Sequence, residues 1–144
     1  MKKIKVAHVI TRMDWGGSPE VVRLLCSGLP PDRYTVTLIT GPAAHQTART
    51  AEFLRSLGGS LVVVPWLRRE VSVYHDCRAL LCLWRIFARG RFDIVHTHTA
   101  KAGALGRIAA RLAGIRVSVH MSHGHNFYGY FDPFTSRLIV LCER

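Results

Sequence analysis

Residues 120–131 form the segment in which the sequence most strongly indicates chemistry. Its twelve positions hold three histidines, two glycines and four aromatic residues. It follows an apolar run at 115–119, which predicts a buried strand. In an open parallel sheet, ligands bind beyond the carboxyl ends of the strands, and glycine lets a loop backbone approach them closely. We therefore expect a ligand site in this loop, followed by a helix that Asp132 and Pro133 begin.

A second pair of histidines, His96 and His98, stands two positions apart near the end of another predicted strand. Residues at this spacing share one face of a strand. Lys101 follows in the first turn of the next predicted helix, where the helix dipole disfavours a cation. This placement indicates a bound anion close by. A lysine that bends out into solvent is the simpler alternative.

Gly16 and Gly17 lie between the first predicted strand and a helix that Ser18, Pro19 and Glu20 begin. Backbone N–H groups at a helix N-terminus bind anions, and the helix dipole assists them. The spacing matches neither the dinucleotide-binding Gly-x-Gly-x-x-Gly pattern nor a P-loop. On spacing alone, an anion site and a tight strand-to-helix turn are equally good interpretations.

The histidines also raise the question of a metal site. Five of the eight fall between His96 and His125, and histidine is a common zinc ligand. Against a metal, no cysteine lies near them, the one nearby carboxylate is Asp132, and no zinc-protease spacing occurs. We expect no metal and no other cofactor.

Length and composition limit the class of protein. With 144 residues, 49% of them hydrophobic, the chain is expected to be one globular domain with a packed core. No apolar run approaches the ~20 residues of a membrane span. The basic start lacks the apolar length of a signal peptide, so we expect a cytoplasmic protein. Cysteines in apolar helical contexts without Cys-x-x-Cys spacing predict buried free thiols: Cys26, Cys77, Cys82 and Cys142.

The chain is strongly basic. Twenty Lys and Arg residues against nine Asp and Glu leave a net charge of +11, which favours an anionic membrane surface or a phosphorylated ligand as partner. No recognisable nucleic-acid module is present, so nucleic acid is not expected. A solvated arginine-rich surface is the simpler alternative. Five arginines lie in or beside one predicted helix and are candidates for a membrane-facing surface: Arg68, Arg69, Arg78, Arg85 and Arg89.

Strand and helix patterns alternate along the whole chain. Strands are predicted at 4–10, 34–40, 61–64, 92–96 and 115–119. Helices are predicted at 18–29, 44–57, from 73 to Gly90, at 102–113, and from Pro133 to the end. This alternation predicts an α/β fold with a Rossmann-like parallel sheet, strand order 3-2-1-4-5, and helices on both faces. The apolar last helix has no cap, from which we expect one half of a larger architecture.

Apolar residues at helical spacing predict which face of each helix packs inward. For the first helix these are Val21, Val22, Leu25 and Leu29. For the long third helix they are Val73, Cys77, Leu80, Leu81, Trp84 and Phe87. For the fourth helix they are Leu105, Ile108, Ala109 and Leu112.

Three motifs in this order carry a resemblance to a known family: GGSPE at 16–20, DIVHTHTAKAGALGR at 93–107 and HGHNFYGYF at 123–131. The chain resembles the N-terminal domain of family-4 retaining glycosyltransferases, which are two-domain GT-B enzymes. It is most similar to the bacterial members that build cell-surface polysaccharide on lipid-linked acceptors. Residues 1–144 would then be the Rossmann-like, acceptor-side domain. The C-terminal domain, which holds most of the nucleotide-sugar and carries a Glu-x7-Glu motif, would be absent.

The resemblance implies roles for particular residues. Gly16 and Gly17 would approach the donor diphosphate, and His123 would face the donor sugar at the reaction centre. The family stabilises the leaving diphosphate without a divalent metal, through backbone amides, helix dipoles and basic side chains. The remaining candidates are, for the acceptor or a phosphate, His98, Lys101 and Arg107, and, elsewhere in the loop, His125, Asn126 and Tyr128.

The function implied is transfer of a sugar from a nucleotide-sugar to a lipid-linked saccharide acceptor, with retention, on the cytoplasmic side and at the inner face of the plasma membrane. We expect the chain to be inactive alone and to need a C-terminal donor domain, in the same polypeptide or in another. Two alternatives stay open: a stand-alone phospholigand-binding or regulatory α/β domain, and a structural subunit that pairs with a separately encoded donor domain.

Overall fold

The fold is that of a computed structural model and is described for residues 2–123. In this range, strands and α-helices alternate. The strands are β1 (Ile4–Ile10), β2 (Tyr34–Thr40), β3 (Leu61–Val63), β4 (Ile94–His98) and β5 (Val117–Met121). The helices are α1 (Gly17–Gly28), α2 (Ala48–Leu57), α3 (Val73–Gly90) and α4 (Ala100–Leu112). The helix predicted from Pro133 onwards lies outside the described residues.

The strands form one parallel sheet in the order β3-β2-β1-β4-β5. This confirms the predicted α/β class and strand order. β1 is the central strand and pairs with β2 along its whole length and with β4 from Val6 to Ile10. The sheet therefore brings the loops after β1, β4 and β5 to one edge, where the sequence predicted a ligand site.

Two apolar cores cover the two faces of the sheet. Alternate residues of β1 supply both, because successive strand residues point to opposite faces. On one face Ala7 and Val9 belong to a core with α3 and α4, whose largest member is Phe87. On the other face Ile10 packs in a second core with α1 and α2. Burying each large apolar side chain stabilises the fold by about 1.5–3 kcal/mol.

Strand and helix boundaries differ from the predicted ones by a few residues. The fourth strand was predicted at 92–96 but runs over Ile94–His98, because it follows the register of β1, in which Val6 pairs with Ile94. The second helix was predicted to begin at Ala44 but begins at Ala48, where the Thr47 hydroxyl caps it by accepting from the Thr50 N–H.

The predicted inward face of α3 is largely wrong. The residues that α3 buries are Ala79, Leu83 and Phe87, of which only Phe87 was predicted. Leu81 is 50% exposed and Trp84 is 39% exposed. The predicted stripe left out Ala79, which is small, and also Leu83, although both are fully buried. The helix is rotated so that much of the predicted stripe faces outwards.

The same rotation of α3 determines how exposed its cysteine thiols are. Cys77 is exposed on α3 and Cys82 is partly buried, so the prediction of a buried thiol is wrong for Cys77. Cys26 on α1 is buried as predicted, and burial raises the pKa of its thiol to about 12, which keeps it unreactive. Cys142 lies outside the described residues.

Helix α4 also packs through small residues. Its buried members are Ala102, Gly103, Gly106, Ala109 and Ala110. A Cβ at Gly106 would lie 2.6 Å from Cγ2 of Thr97 on β4, and one at Gly103 would overlap the ring of His120 on β5. The helix therefore sits closer to the sheet than a leucine face would allow.

This close approach corrects two further predictions. Ile108 and Leu112 were predicted to face inwards on α4, but they are exposed, and Leu112 is 63% exposed. Ala109 is fully buried, as predicted. In residues 2–123, no helix is both long and apolar enough to pass through a lipid bilayer.

We predict that Gly106→Ala destabilises the domain although alanine favours helix. The added methyl meets Thr97, which is fully buried and cannot move aside. Overpacking of this kind costs about 1–3 kcal/mol. Gly28→Ala, also in a helix but with nothing near its added Cβ, is the matched control and should stay within about 0.5 kcal/mol of the parent. Urea unfolding midpoints measure both, and equal midpoints would contradict the packing argument.

Candidate functional site

Histidines from two neighbouring strands converge at the carboxyl edge of the sheet. His8 of β1 is the register partner of His96 of β4, and His98 follows His96 on the same face of the strand. His8 is 2% exposed and His98 is fully buried. The ring centroids of His96 and His98 are 4.2 Å apart, and those of His8 and His96 are 5.1 Å apart.

Hydrogen bonds connect this cluster to the loop after β5. Nδ1 of His8 lies 3.2 Å from Nε2 of His98, and Nδ1 of His98 lies 3.0 Å from Nε2 of His123. A neutral imidazole has one donor and one acceptor nitrogen, so the rings form a continuous chain when their tautomers run in the same direction. The chain leads from the middle strand of the sheet to the predicted catalytic histidine.

The cluster is held in its neutral form. Burial, with a smaller contribution from His96, lowers the pKa of His8 to about 4. Burial and the neighbouring histidines lower the pKa of His98 to about 2. Burial likewise lowers the pKa of His96 and of His123, and the nearby His120 lowers both further. Near neutral pH these rings are available as hydrogen-bonding groups or as metal ligands.

His8 was not among the residues predicted from the sequence. Its one sequence feature is a lone polar ring inside the apolar strand IKVAHVI, a pattern more typical of a histidine that packs in the core. The cross-strand register that brings His8 beside His96 is not visible in local sequence. With His8 included, one ring nitrogen from each of His8, His96 and His98 lies within 4.8 Å of the other two. Among the described residues, this trio could hold a metal ion.

The glycine pair lies where it was predicted, at the start of α1. Gly16 precedes the helix with φ +142°, a conformation that favours glycine, and the helix itself begins at Gly17. The first N–H groups of any helix have no partner within it. Binding of a diphosphate by Gly16 and Gly17 stays a prediction.

Side chains tie the loop after β1 to the loop after β2. Oδ1 of Asp14 accepts hydrogen bonds from the backbone N–H groups of Ala44, at 2.8 Å, and His45, at 3.0 Å. Its Oδ2 lies 2.9 Å from Nε of Arg12. The two loops therefore present one continuous rim beside the glycine pair.

A basic cleft of about 210 Å³ opens beside this rim. Three arginines, Arg12, Arg68 and Arg69, line it together with Asp14 and Glu70. Guanidinium groups suit phosphate oxygens, which they bind through parallel hydrogen bonds. The cleft brings Arg68 and Arg69 to the same end of the sheet as the histidines.

Lys101 has a partner within the protein. Its Nζ lies 2.6 Å from Oδ1 of Asp76 on α3 and donates to the backbone carbonyl of Glu70. The lysine side chain is 15% exposed, so the alternative of a side chain bent out into solvent is wrong. The anion expected beside Lys101 is supplied by Asp76, and the position of Lys101 no longer indicates a ligand. Binding of acceptor or phosphate by Lys101 stays a prediction.

The other residues predicted for the site are Arg107, the pair His98 and His123, and three residues of the loop after β5. Nε of Arg107 donates to the carbonyl of Gly103 one turn earlier in α4, at 3.1 Å, and binding of acceptor or phosphate by Arg107 stays a prediction. His98 and His123 are brought together, as their hydrogen bond shows. His125, Asn126 and Tyr128 lie outside the described residues.

Comparison with known proteins gives a family match and a close relative. Residues 16–144 match the family model described as a glycosyl transferase 4-like domain. The Escherichia coli UDP-Gal:alpha-D-GlcNAc-diphosphoundecaprenol alpha-1,3-galactosyltransferase is 36% identical over 125 residues, which cover 87% of this chain and 31% of that protein. The chain spans about a third of the length of the curated relatives it matches.

Solved structures share the fold at low sequence identity. Acinetobacter baumannii MurG matches with a TM-score of 0.62 and 15% identity, over 96% of this chain and 39% of that one. Neisseria meningitidis UDP-GlcNAc 2-epimerase, bound to UDP-GlcNAc, matches with a TM-score of 0.55 and 12% identity, over 96% of this chain and 38% of that one. The same architecture therefore occurs in proteins with different activities.

We predict that the domain loses stability as the pH falls below about 6.5. The folded-state pKa of His8, about 4, lies below its usual value of 6.5. The unfolded chain therefore binds more protons in this window, and the free energy of unfolding falls as pH drops. For His8 alone the loss approaches roughly 3 kcal/mol near pH 4. Urea midpoints between pH 7.5 and pH 4, measured with EDTA present, test this.

The matched pair of variants is His8→Leu and His45→Leu. His45 is exposed, so its variant should keep the pH dependence of the parent. In His8→Leu the free energy of unfolding should depend less on pH than in the parent. This holds even if the variant is less stable than the parent at every pH. Parallel curves for the parent and His8→Leu would show that His8 is not held neutral by burial.

Proposed function

The chain belongs to the glycosyl transferase 4-like family, and from this membership we propose that it is the acceptor-side domain of a retaining glycosyltransferase. The reaction is transfer of a sugar from a nucleotide-sugar to a lipid-linked saccharide acceptor. The name of the Escherichia coli relative supports these substrate classes, since it gives UDP-Gal as donor and a diphosphoundecaprenol-linked GlcNAc as acceptor. The observation that carries the proposal is the hydrogen bond that holds His123 to His98 at the edge of the sheet.

His123 is the residue we assign to the reacting sugar. His98 engages Nε2 of His123, so Nδ1 is the nitrogen that meets the substrate. Burial of His98 against His8 keeps those two rings neutral. Burial also lowers the pKa of His123, and its bond to His98 presents it as a fixed hydrogen-bonding group. Fixed groups aimed at the reacting atoms stabilise a transition state without further reorganisation.

The leaving diphosphate is assigned to the start of α1. Gly16 and Gly17 are exposed and carry no side chain over the first N–H groups of the helix. The helix dipole favours negative charge at this end. The arginines of the basic cleft lie at the same end of the sheet and supply positive charge for the phosphates of donor or acceptor.

We assign donor and acceptor to two different domains. Both substrates must be held together, because positioning supplies much of the rate. This chain corresponds to about a third of its curated relatives. We therefore assign the nucleotide-sugar mainly to a C-terminal donor domain, in the same polypeptide or in a partner, and expect no transfer by these 144 residues alone.

The exposed face of α3 is the surface we assign to a membrane. Tyr74, Leu81 and Trp84 are exposed there, and Arg85 and Arg89 are exposed on the same helix. Apolar and aromatic side chains interleaved with arginine favour the boundary of an anionic bilayer. A lipid-linked acceptor is presented from such a surface. The localisation that follows is peripheral, at the inner face of the plasma membrane.

Transfer is tested by joining this chain to the C-terminal part of the Escherichia coli relative. UDP-Gal and diphosphoundecaprenol-linked GlcNAc are supplied, and nucleotide release is measured. Release is expected from the joined form and not from the isolated chain. His123→Ala should lower the rate of the joined form by about 10²–10³-fold, as when one transition-state donor is lost. Arg55→Ala, at an exposed residue of α2, should leave the rate unchanged.

Two results would contradict these assignments. Rapid turnover by the isolated chain would show that no donor domain is needed. Full activity of the joined His123→Ala protein would remove His123 from the reaction centre while leaving the family function in place.

Membrane binding is tested with lipid vesicles and charge reversal. The parent should bind vesicles that contain anionic lipid, and binding should weaken as salt rises. Arg85→Glu on α3 should lower the affinity roughly tenfold or more, because each basic residue near the surface contributes about 1 kcal/mol. Arg55→Glu, on α2 at the other face of the sheet, is the matched control. An equal loss in both variants would indicate net charge alone instead of an α3 surface.

A further inference from the structure

We propose that His8, His96 and His98 form a binding site for a transition-metal ion of the zinc type. Each of the three offers one ring nitrogen, and these nitrogens lie within 4.8 Å of one another. The site goes beyond the proposed sugar transfer, which needs no metal. It also reverses the expectation drawn from sequence, which weighed only the histidines between His96 and His125.

The backbone holds the three ligands in place. His8 and His96 are register partners on adjacent parallel strands, and His98 follows on the same strand as His96. Sites built on strands are more precise than sites built on loops. In a tetrahedral zinc site the nitrogens lie about 3.3 Å apart, since each Zn–N bond is about 2.0–2.1 Å. Nδ1 of His8 and Nε2 of His98 are already 3.2 Å apart.

The nitrogen of His96 can approach those of His8 and His98 by rotation of its ring. No pair of these nitrogens is more than 4.8 Å apart, which is at most about 1.5 Å beyond the tetrahedral edge. His96 is only partly buried and can turn towards the other two.

Unused nitrogens are the second observation. Within residues 2–123, Nε2 of His8 and Nε2 of His96 have no hydrogen-bond partner, and His8 is 2% exposed. A buried polar atom without a partner costs about 1–3 kcal/mol. An ion that binds Nε2 of His96 would give that nitrogen a partner without bringing water into the sheet.

The donor set selects the ion. Neutral imidazole suits zinc, copper and nickel, whereas magnesium and calcium prefer oxygen ligands. Three protein ligands leave the fourth position of a zinc ion open. No carboxylate belongs to the trio, so the bound ion would keep its full charge at the edge of the sheet that we assign to anionic substrates.

The site also acts on His123. When Nε2 of His98 binds the ion, Nδ1 carries the proton and donates to Nε2 of His123, 3.0 Å away. An outer partner of this kind orients most metal-bound histidines. The ion would therefore fix the tautomer of His98 and, through it, that of His123.

The test uses the full chain, stripped with EDTA and titrated with Zn²⁺ or Co²⁺. Calorimetry should give one ion per chain, and Co²⁺ should develop the visible absorption of a tetrahedral site. Zn²⁺ should raise the melting temperature, as any ligand that binds the folded state does, whereas Mg²⁺ should not. ¹⁵N spectra of histidine-labelled parent protein should show Zn²⁺ shifts on the rings of His8, His96 and His98, which needs no variant.

Variants then locate the ion. His96→Gln and His98→Gln should each weaken Zn²⁺ binding by about 100-fold or more, beyond the 10–100-fold typical of outer partners, and His45→Gln should not. Urea midpoints verify that each variant is folded, and His96, only partly buried, is the one expected to tolerate change. The proposal is overturned by absence of one-to-one binding, by shifts on other rings only, or by equal affinity in folded His96→Gln. None of these readouts depends on sugar transfer.

Discussion

The pairing of β1 with β4 is the constraint on which the rest of the structure depends. Its register runs from Val6 and Ile94 to Ile10 and His98. A slip of one residue would turn every side chain of β4 to the opposite face. His96 and His98 would then point into the apolar core beneath α4, and Thr97 would leave its contact with Gly106. Site and core are therefore set by the same backbone hydrogen bonds.

Much of the architecture could be predicted from the sequence, for a physical reason. Short strands of β-branched and apolar residues, such as IKVAHVI, need cover on both faces, and alternating helices provide it. The helix faces were harder to predict. Ala79, Gly103 and Gly106 pack closely because they are small, and a count of large apolar side chains ignores them. For α3 the predicted inward stripe missed Leu83 as well as Ala79, and the fold turns that stripe largely outwards.

The candidate site was predicted where it depends on local sequence and missed where it depends on pairing. The spacing of His96 and His98 was enough to place both on one face at a strand end. His8 stands 88 positions before His96, and nothing near it in the chain indicates a polar cluster. Lys101 shows the opposite case. The local helix dipole suggested an external anion, but tertiary structure brings Asp76 to it from α3.

The hydrogen-bonded histidine chain has a consequence for how such a domain changes over evolutionary time. His98 bonds to His8 through one nitrogen and to His123 through the other. A substitution at position 98 would leave two partners unsatisfied at once, one of them buried, so the effects of mutations at 8, 98 and 123 are not additive. A substitution at any one of the three positions leaves a hydrogen-bond partner unsatisfied until the others change as well. The three positions should therefore be inherited, or lost, as a single epistatic unit.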